Sequence, residues 1–292
     1  MPQSPTTIHS LRLLLDFPMP PSFSGRDDFK NFKRSIWNCF PHNPTVADSR
    51  FLAAVAESSV RHVYTISAGS FLYRAVCASE WEDDYQNDEV IEGVLIRPCN
   101  DDRLFPSKIP NREVLQDGRA NPKGIPVFYC AMDEKTAISE IRPINKSLVT
   151  IGTFSANRDL RIADCSNASQ IPWSDDLDIR LGWMEKTPIK VENYIWHTIG
   201  NAYSYPISHS DTERDYLPTQ VLAGLFRSLS FDGILYESNI TVGVGKNVAL
   251  FDESAVTLVK KIVVKARVQQ PKLKTEYRPD QNNIYGPNDP PW

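Results

Sequence analysis

Five polar or aromatic side chains stand at strand or helix ends where chemistry is done: Arg74, Arg119, Tyr129, Glu140 and Ser238. Each has a bland reading on its own. Arg74 lies inside the apolar run FLYRAV, where an arginine snorkels or pairs with a carboxylate. Arg119 belongs to the turn-rich stretch DGRANPKG and would be a solvated loop charge. Tyr129 falls in the strand VFYCA and reads as core, Glu140 as a solvent-facing helical carboxylate, and Ser238 as the start of a turn after GILYE. Together they permit more. Two guanidinium forks match a diphosphate, an aromatic ring covers a flat heterocycle, and a carboxylate stabilises positive charge at a ribose carbon. Such a set suits cleavage of a nucleotide N-glycosidic bond through an oxocarbenium-like transition state.

Other chemistries have less support. Gly243-Val-Gly245-Lys246 resembles the end of a phosphate-binding loop, but Asn247 stands where Ser or Thr is needed and Ile240 where the first Gly should be, so it reads as a turn. His9, His42, His62, His197 and His209 form no HxxxH pair, and no GxSxG occurs. The five cysteines are scattered without a CxxC and read as reduced thiols; no metal and no bound cofactor is expected.

The elements that must position these residues follow from the 292-residue pattern, which is 41% hydrophobic and large enough for a substantial core. Residues 1–23 read as an extended arm and 269–292 as a Pro-rich mobile tail. Residues 24–64 read as helical: Ser24 with Asp27 forms a capping-box-like start, and Phe29, Phe32, Ile36 and Phe40 recur at helical spacing. A second helix is predicted over 47–61, with Phe51, Leu52, Val55 and Val60 inward. From 65 to 268 short strands dominate, at 70–77, 125–132, 147–154, 160–165, 231–237, 247–252 and 256–268. Helices interrupt them at 134–142, 190–202 and 218–229, the last with Pro218 in its first turn. The irregular alternation predicts a mixed α+β domain behind a helical N-terminal segment.

Lys plus Arg is 32 and Asp plus Glu 36, a net charge of −4 that gives no reason to bind nucleic acid or an anionic membrane. No apolar run is long enough to span a bilayer, and Leu11–Phe17 is broken by Arg12 and Asp16, so a cytoplasmic protein is expected.

Three blocks in order resemble one family. GRANPKGIPVFYCAMDEKTAISEIRP (118–143) resembles the central signature of RES-domain proteins, FLYRAV its opening aromatic-Arg strand, and YLPTQVLAGLFRSLSFDGILYESNITVGVGKNVALFD (216–252) its closing block. The resemblance implies an ADP-ribosyltransferase-like fold, with NAD+ as substrate in a cleft between two small sheets. It also implies a toxin of a toxin–antitoxin pair that depletes NAD+ by hydrolysis or phosphorolysis, with an antitoxin as protein partner. The namesake Arg, Glu and Ser map onto Arg74 or Arg119, Glu140 and Ser238. On the resemblance Arg74 and Arg119 clamp the diphosphate, Tyr129 stacks near the nicotinamide or its ribose, and Glu140 binds the ribose hydroxyls. Ser238 and Asn247 supply polar contacts. Three features depart from the family pattern: small Ala120 after Gly-Arg, the N-terminal extension, and the Trp- and Asp-rich stretch 166–210. An ADP-ribosyltransferase acting on a protein target and a non-enzymatic binding module are the competing readings.

Overall fold

The computed structural model describes residues 22–39, 45–77, 79–80, 90–91, 94–95, 97–106, 117–144, 146–166, 187–205, 213–240 and 245–266. The arm 1–21, most of 166–210 and the tail from 267 lie outside them.

Helices α1 (Asp28–Cys39) and α2 (Val46–Ser58) come first. The α1 start is held by Asp28, not Asp27: its carboxylate accepts from the Ser24 N–H and hydroxyl, each at 2.7 Å. A capping box fixes α2, with Thr45 and Asp48 each accepting from the other's backbone N–H. This helix ends earlier than predicted. A 3-10 turn over Ser59–Arg61 rotates each residue further than an α-turn, so Val60 is turned outward and is 64% exposed. The chain then forms a strand, β1 (Val63–Ile66), that begins inside the segment 24–64 read as helical.

The remaining strands of the main sheet are β2 (Phe71–Val76), β7 (Phe128–Ala131), β8 (Leu148–Ala156), β9 (Leu160–Asp164), β10 (Gly233–Ser238), β11 (Gly245–Leu250) and β12 (Val256–Lys265). Strands β3 (Ser79–Glu80), β4 (Val90–Ile91), β5 (Val94–Leu95) and β6 (Arg97–Pro98) form two small ribbons. The main sheet runs β1-β9-β10-β11-β7-β2-β8-β12, antiparallel except for β9 beside β10. Its helices are α3 (Glu134–Glu140), α4 (Pro188–Ser204) and α5 (Glu213–Ser228). Helix α5 begins earlier than predicted, so Pro218 is interior and removes one helical hydrogen bond.

The mixed α+β architecture with flanking helices agrees with the sequence reading. The predicted pair of small sheets takes the form of one hydrogen-bonded sheet with a seam. Strand β2 pairs with β8 over six positions, but with β7 at one only, Tyr73 opposite Ala131. Five strands lie on one side of that pair and three on the other.

The largest apolar cluster lies under α4 and α5 and takes in Phe29, Phe32 and Phe51 beside Trp196, Phe226 and Tyr236. Phe32 and Phe51 stack at 4.6 Å. The N-terminal helices therefore share the core of the strand-rich region. Arg61 is forked onto Glu192 at 2.9 and 2.6 Å, and His62 stacks on Trp196 at 4.0 Å. No helix among the described residues is long and apolar enough to cross a membrane.

Candidate active site

Register places one row of side chains across four strands. Tyr73 of β2 is opposite Ala131 of β7, Ala131 is opposite Asn247 of β11, and Asn247 is opposite Tyr236 of β10. Directly opposed residues share a face, and all four line a cleft of about 560 Å3. That size lies within the roughly 300–1,000 Å3 of small-molecule sites. Helix α3 forms one wall through Ala137, Glu140 and Ile141, and residues 74–77 line the seam.

Helix α3 is set by its cap. Asp133 accepts from the Thr136 N–H at 2.8 Å and its hydroxyl at 2.7 Å, and Thr136 is fully buried. Small Ala137 faces inward and lines the cleft. Glu140, the last helical residue, is exposed but its carboxylate is held: Oε1 accepts from the Ser238 hydroxyl and the Asn247 amide, each at 2.6 Å. Both donors are buried at sheet positions. Among the described residues Oε2 has no hydrogen-bond partner. The carboxylate is thus oriented through one oxygen by two neutral donors, with the other available to a ligand.

Arg74 occupies the seam. Its Nη1 donates at 2.6 Å to the Tyr129 carbonyl, a β7 group that β2 does not pair, and its guanidinium lies 5.5 Å from the Phe128 ring centre. Among the described residues its buried Nε has no hydrogen-bond partner, and burial pulls the guanidinium pKa down against the weaker pull of Cys130 and Glu253. No carboxylate forms an ion pair with Arg74 among the described residues. A half-buried cation with a buried, unmatched N–H is complementary to an anion.

Tyr129 also lines the cleft. Its hydroxyl donates to Asn121 Oδ1 at 2.7 Å and accepts from the Ala120 N–H at 3.0 Å. Burial raises the phenol pKa, so the group stays protonated at neutral pH. Gly118 is required here by close approach, since a Cβ would lie 2.4 Å from both the Tyr129 hydroxyl and Asn121 Oδ1. Cys130 is no nucleophile: burial pushes its thiol up to about 12.

Arg119 does not join Arg74. Its guanidinium donates to the backbone carbonyls of Tyr203 and Tyr205 at the C-terminal end of α4, and it does not line the cleft. The structure therefore brings together Arg74, Tyr129, Glu140 and Asn247 along the cleft, with Ser238 behind Glu140, and sets Arg119 apart. The sequence reading did not single out the two aromatic wall residues Tyr73 and Tyr236. The strand alternation of FLYRAV and GILYES is the signal that places them. No group of three or more His, Cys, Asp or Glu side chains that could hold a metal occurs among the described residues.

The sequence model of the RES domain matches residues 106–274, which takes in Arg119, Tyr129, Glu140, Ser238 and Asn247 and leaves Arg74 upstream. A chain from the crystal structure of the M. tuberculosis MbcT-MbcA toxin-antitoxin complex is similar with a TM-score of 0.37 at 14% identity, over 72% of this chain and 92% of that one. At that score the likeness adds nothing about the site. No curated protein matches the sequence.

Proposed function

Because the chain belongs to the RES domain family, we propose that it cleaves the nicotinamide–ribose bond of NAD+ and acts as a toxin that depletes NAD+ in the cytoplasm, with a cognate antitoxin as partner. The observation that carries this reading is the Glu140 carboxylate, fixed through Oε1 by Ser238 and Asn247 on the wall of a cleft whose seam holds the half-buried Arg74 cation.

In this reading the diphosphate lies on Arg74, and the ring of Tyr129 borders the nicotinamide or its ribose. Oε2 of Glu140 takes the ribose hydroxyls. The C1–N bond breaks with its electron pair passing to the ring nitrogen, so nicotinamide leaves neutral. The negative Glu140 stabilises the ribosyl cation that forms. Water or inorganic phosphate then adds to that carbon; water loses its proton to solvent. Ser238 and Asn247 act through Glu140, holding one oxygen so that the other keeps its aim. Arg119 serves as a loop anchor, because its guanidinium is tied to the Tyr203 and Tyr205 carbonyls and the side chain does not line the cleft.

The test is incubation of the full chain with NAD+, with and without inorganic phosphate, and identification of products by chromatography and mass. Nicotinamide with ADP-ribose identifies a hydrolase; nicotinamide with ADP-ribose-1″-phosphate, only when phosphate is present, identifies a phosphorylase. Intact NAD+ under both conditions refutes the reading and moves transfer to a protein acceptor into first place.

A further inference from the structure

The loop 117–124 contacts two helices that carry no residue of the cleft wall, and their contacts close a circuit. From α5, Gln220 directs its Nε2 at three acceptors of the loop: the Asn121 carbonyl at 2.9 Å, the Gly118 carbonyl at 3.0 Å and Asp117 Oδ1 at 3.3 Å. From the loop, Arg119 donates to the Tyr203 carbonyl of α4. Tyr203, fully buried, returns to α5 by donating its hydroxyl to the Thr219 carbonyl at 2.7 Å, one residue before Gln220. The loop itself is closed by reciprocal backbone bonds between Gly118 and Asn121.

That closed turn presents Asn121 Oδ1 and the Ala120 N–H to the Tyr129 hydroxyl. Tyr129 borders the cleft with its ring and holds Arg74 with its carbonyl. The geometry points to Gln220 as a positioning residue: it fixes the 117–121 turn, the turn fixes the Tyr129 phenol, and the phenol sets one side of the cleft. One amide NH2 is shared among two carbonyls and a carboxylate that would otherwise be held by backbone N–H groups alone. An apolar side chain of the same length leaves those acceptors to the backbone donors alone.

The kinetic part of the test rests on the NAD+-cleaving reading; the spectroscopic part does not. Gln220→Met keeps length and removes the donor, and Gln220→Glu puts a second acceptor against the three. Either is expected to lower turnover about tenfold or more, since misplacement by ~1 Å costs up to ~10²-fold. In a Tyr129→Phe background the same substitutions should add less than about twofold, because the hydroxyl through which Gln220 acts is gone. In ring-labelled protein, the tyrosine resonance that Tyr129→Phe identifies should shift in both Gln220 variants. A full tenfold loss in the Tyr129→Phe background, or an unmoved Tyr129 resonance in folded variants, overturns the inference. If the parent chain leaves NAD+ intact, the proposed reaction fails while the resonance measurement still decides the role of Gln220.

Discussion

Replacing Glu140 by Gln keeps the shape of the side chain and removes its charge. An anion about 4 Å from a developing ribosyl cation contributes roughly 4 kcal/mol at an effective dielectric of ~20, or about three decades in rate. Glu140 is exposed before substrate binds, so part of that is screened and a loss of about 10²–10³-fold is expected, the range for removing one preorganised electrostatic group. Stability should change less. The amide oxygen still accepts from Ser238 and Asn247, and two bonds to a charged acceptor become two to a neutral one, about 1 kcal/mol each. At roughly 2–4 °C per kcal/mol the melting point should fall by less than about 8 °C. The assay is nicotinamide release from NAD+, paired with a thermal melt of the same preparation. A folded Glu140→Gln protein that turns over within threefold of the parent would refute the assignment of the carboxylate.

Deleting residues 1–64 should destabilise the chain, because Phe29, Phe32 and Phe51 are at most 5% exposed within the cluster under α4 and α5 and each contributes roughly 1.5–3 kcal/mol. A truncated protein melting within a few degrees of the full chain would refute this. Ala137→Leu fills the wall beside Glu140 and should lower kcat/KM for NAD+ at least tenfold, at about 1–3 kcal/mol of overpacking. Unchanged kinetics would place the substrate elsewhere. Burial lowers the His62 pKa against the opposing pull of Glu192. Below about pH 6.5 the unfolded chain therefore takes up a proton that the folded chain refuses, and stability falls as pH falls through that value. A His62→Gln variant should show a flatter melting-point profile over the same range; an unchanged slope would assign the acid sensitivity to other groups.

Strands were legible because alternation and β-branched runs are local signals: FLYRAV, VFYCA and GILYES all form strands near the predicted bounds. Val60 misled because a switch to 3-10 geometry changes the phase of a helix without any mark in composition. Pro218 misled because a proline marks a first turn well but is also tolerated inside a helix that packing holds. The cleft residues were legible by type and not by partner. Glu140 does reach solvent, as a helical carboxylate should, yet its oxygen is held by residues 98 and 107 positions away. Arg119 was legible as a loop charge, but its acceptors lie 84 and 86 residues along the chain. Pairings at such separations are set by sheet register and helix docking, which local patterning does not encode.

The seam at Tyr73 and Ala131 has a mechanical consequence. A sheet resists being pulled apart through many ladder bonds acting together, and here one paired position joins a three-strand part to a five-strand part. The Arg74 bond to the Tyr129 carbonyl is a second tie, at the place where the ladder stops. A molecule seated there touches both parts at once and acts as a staple, lending the sheet the lateral continuity its backbone lacks. Occupancy should therefore show as slower amide exchange in β2, β8 and β12 as a block, including at positions that no ligand atom approaches.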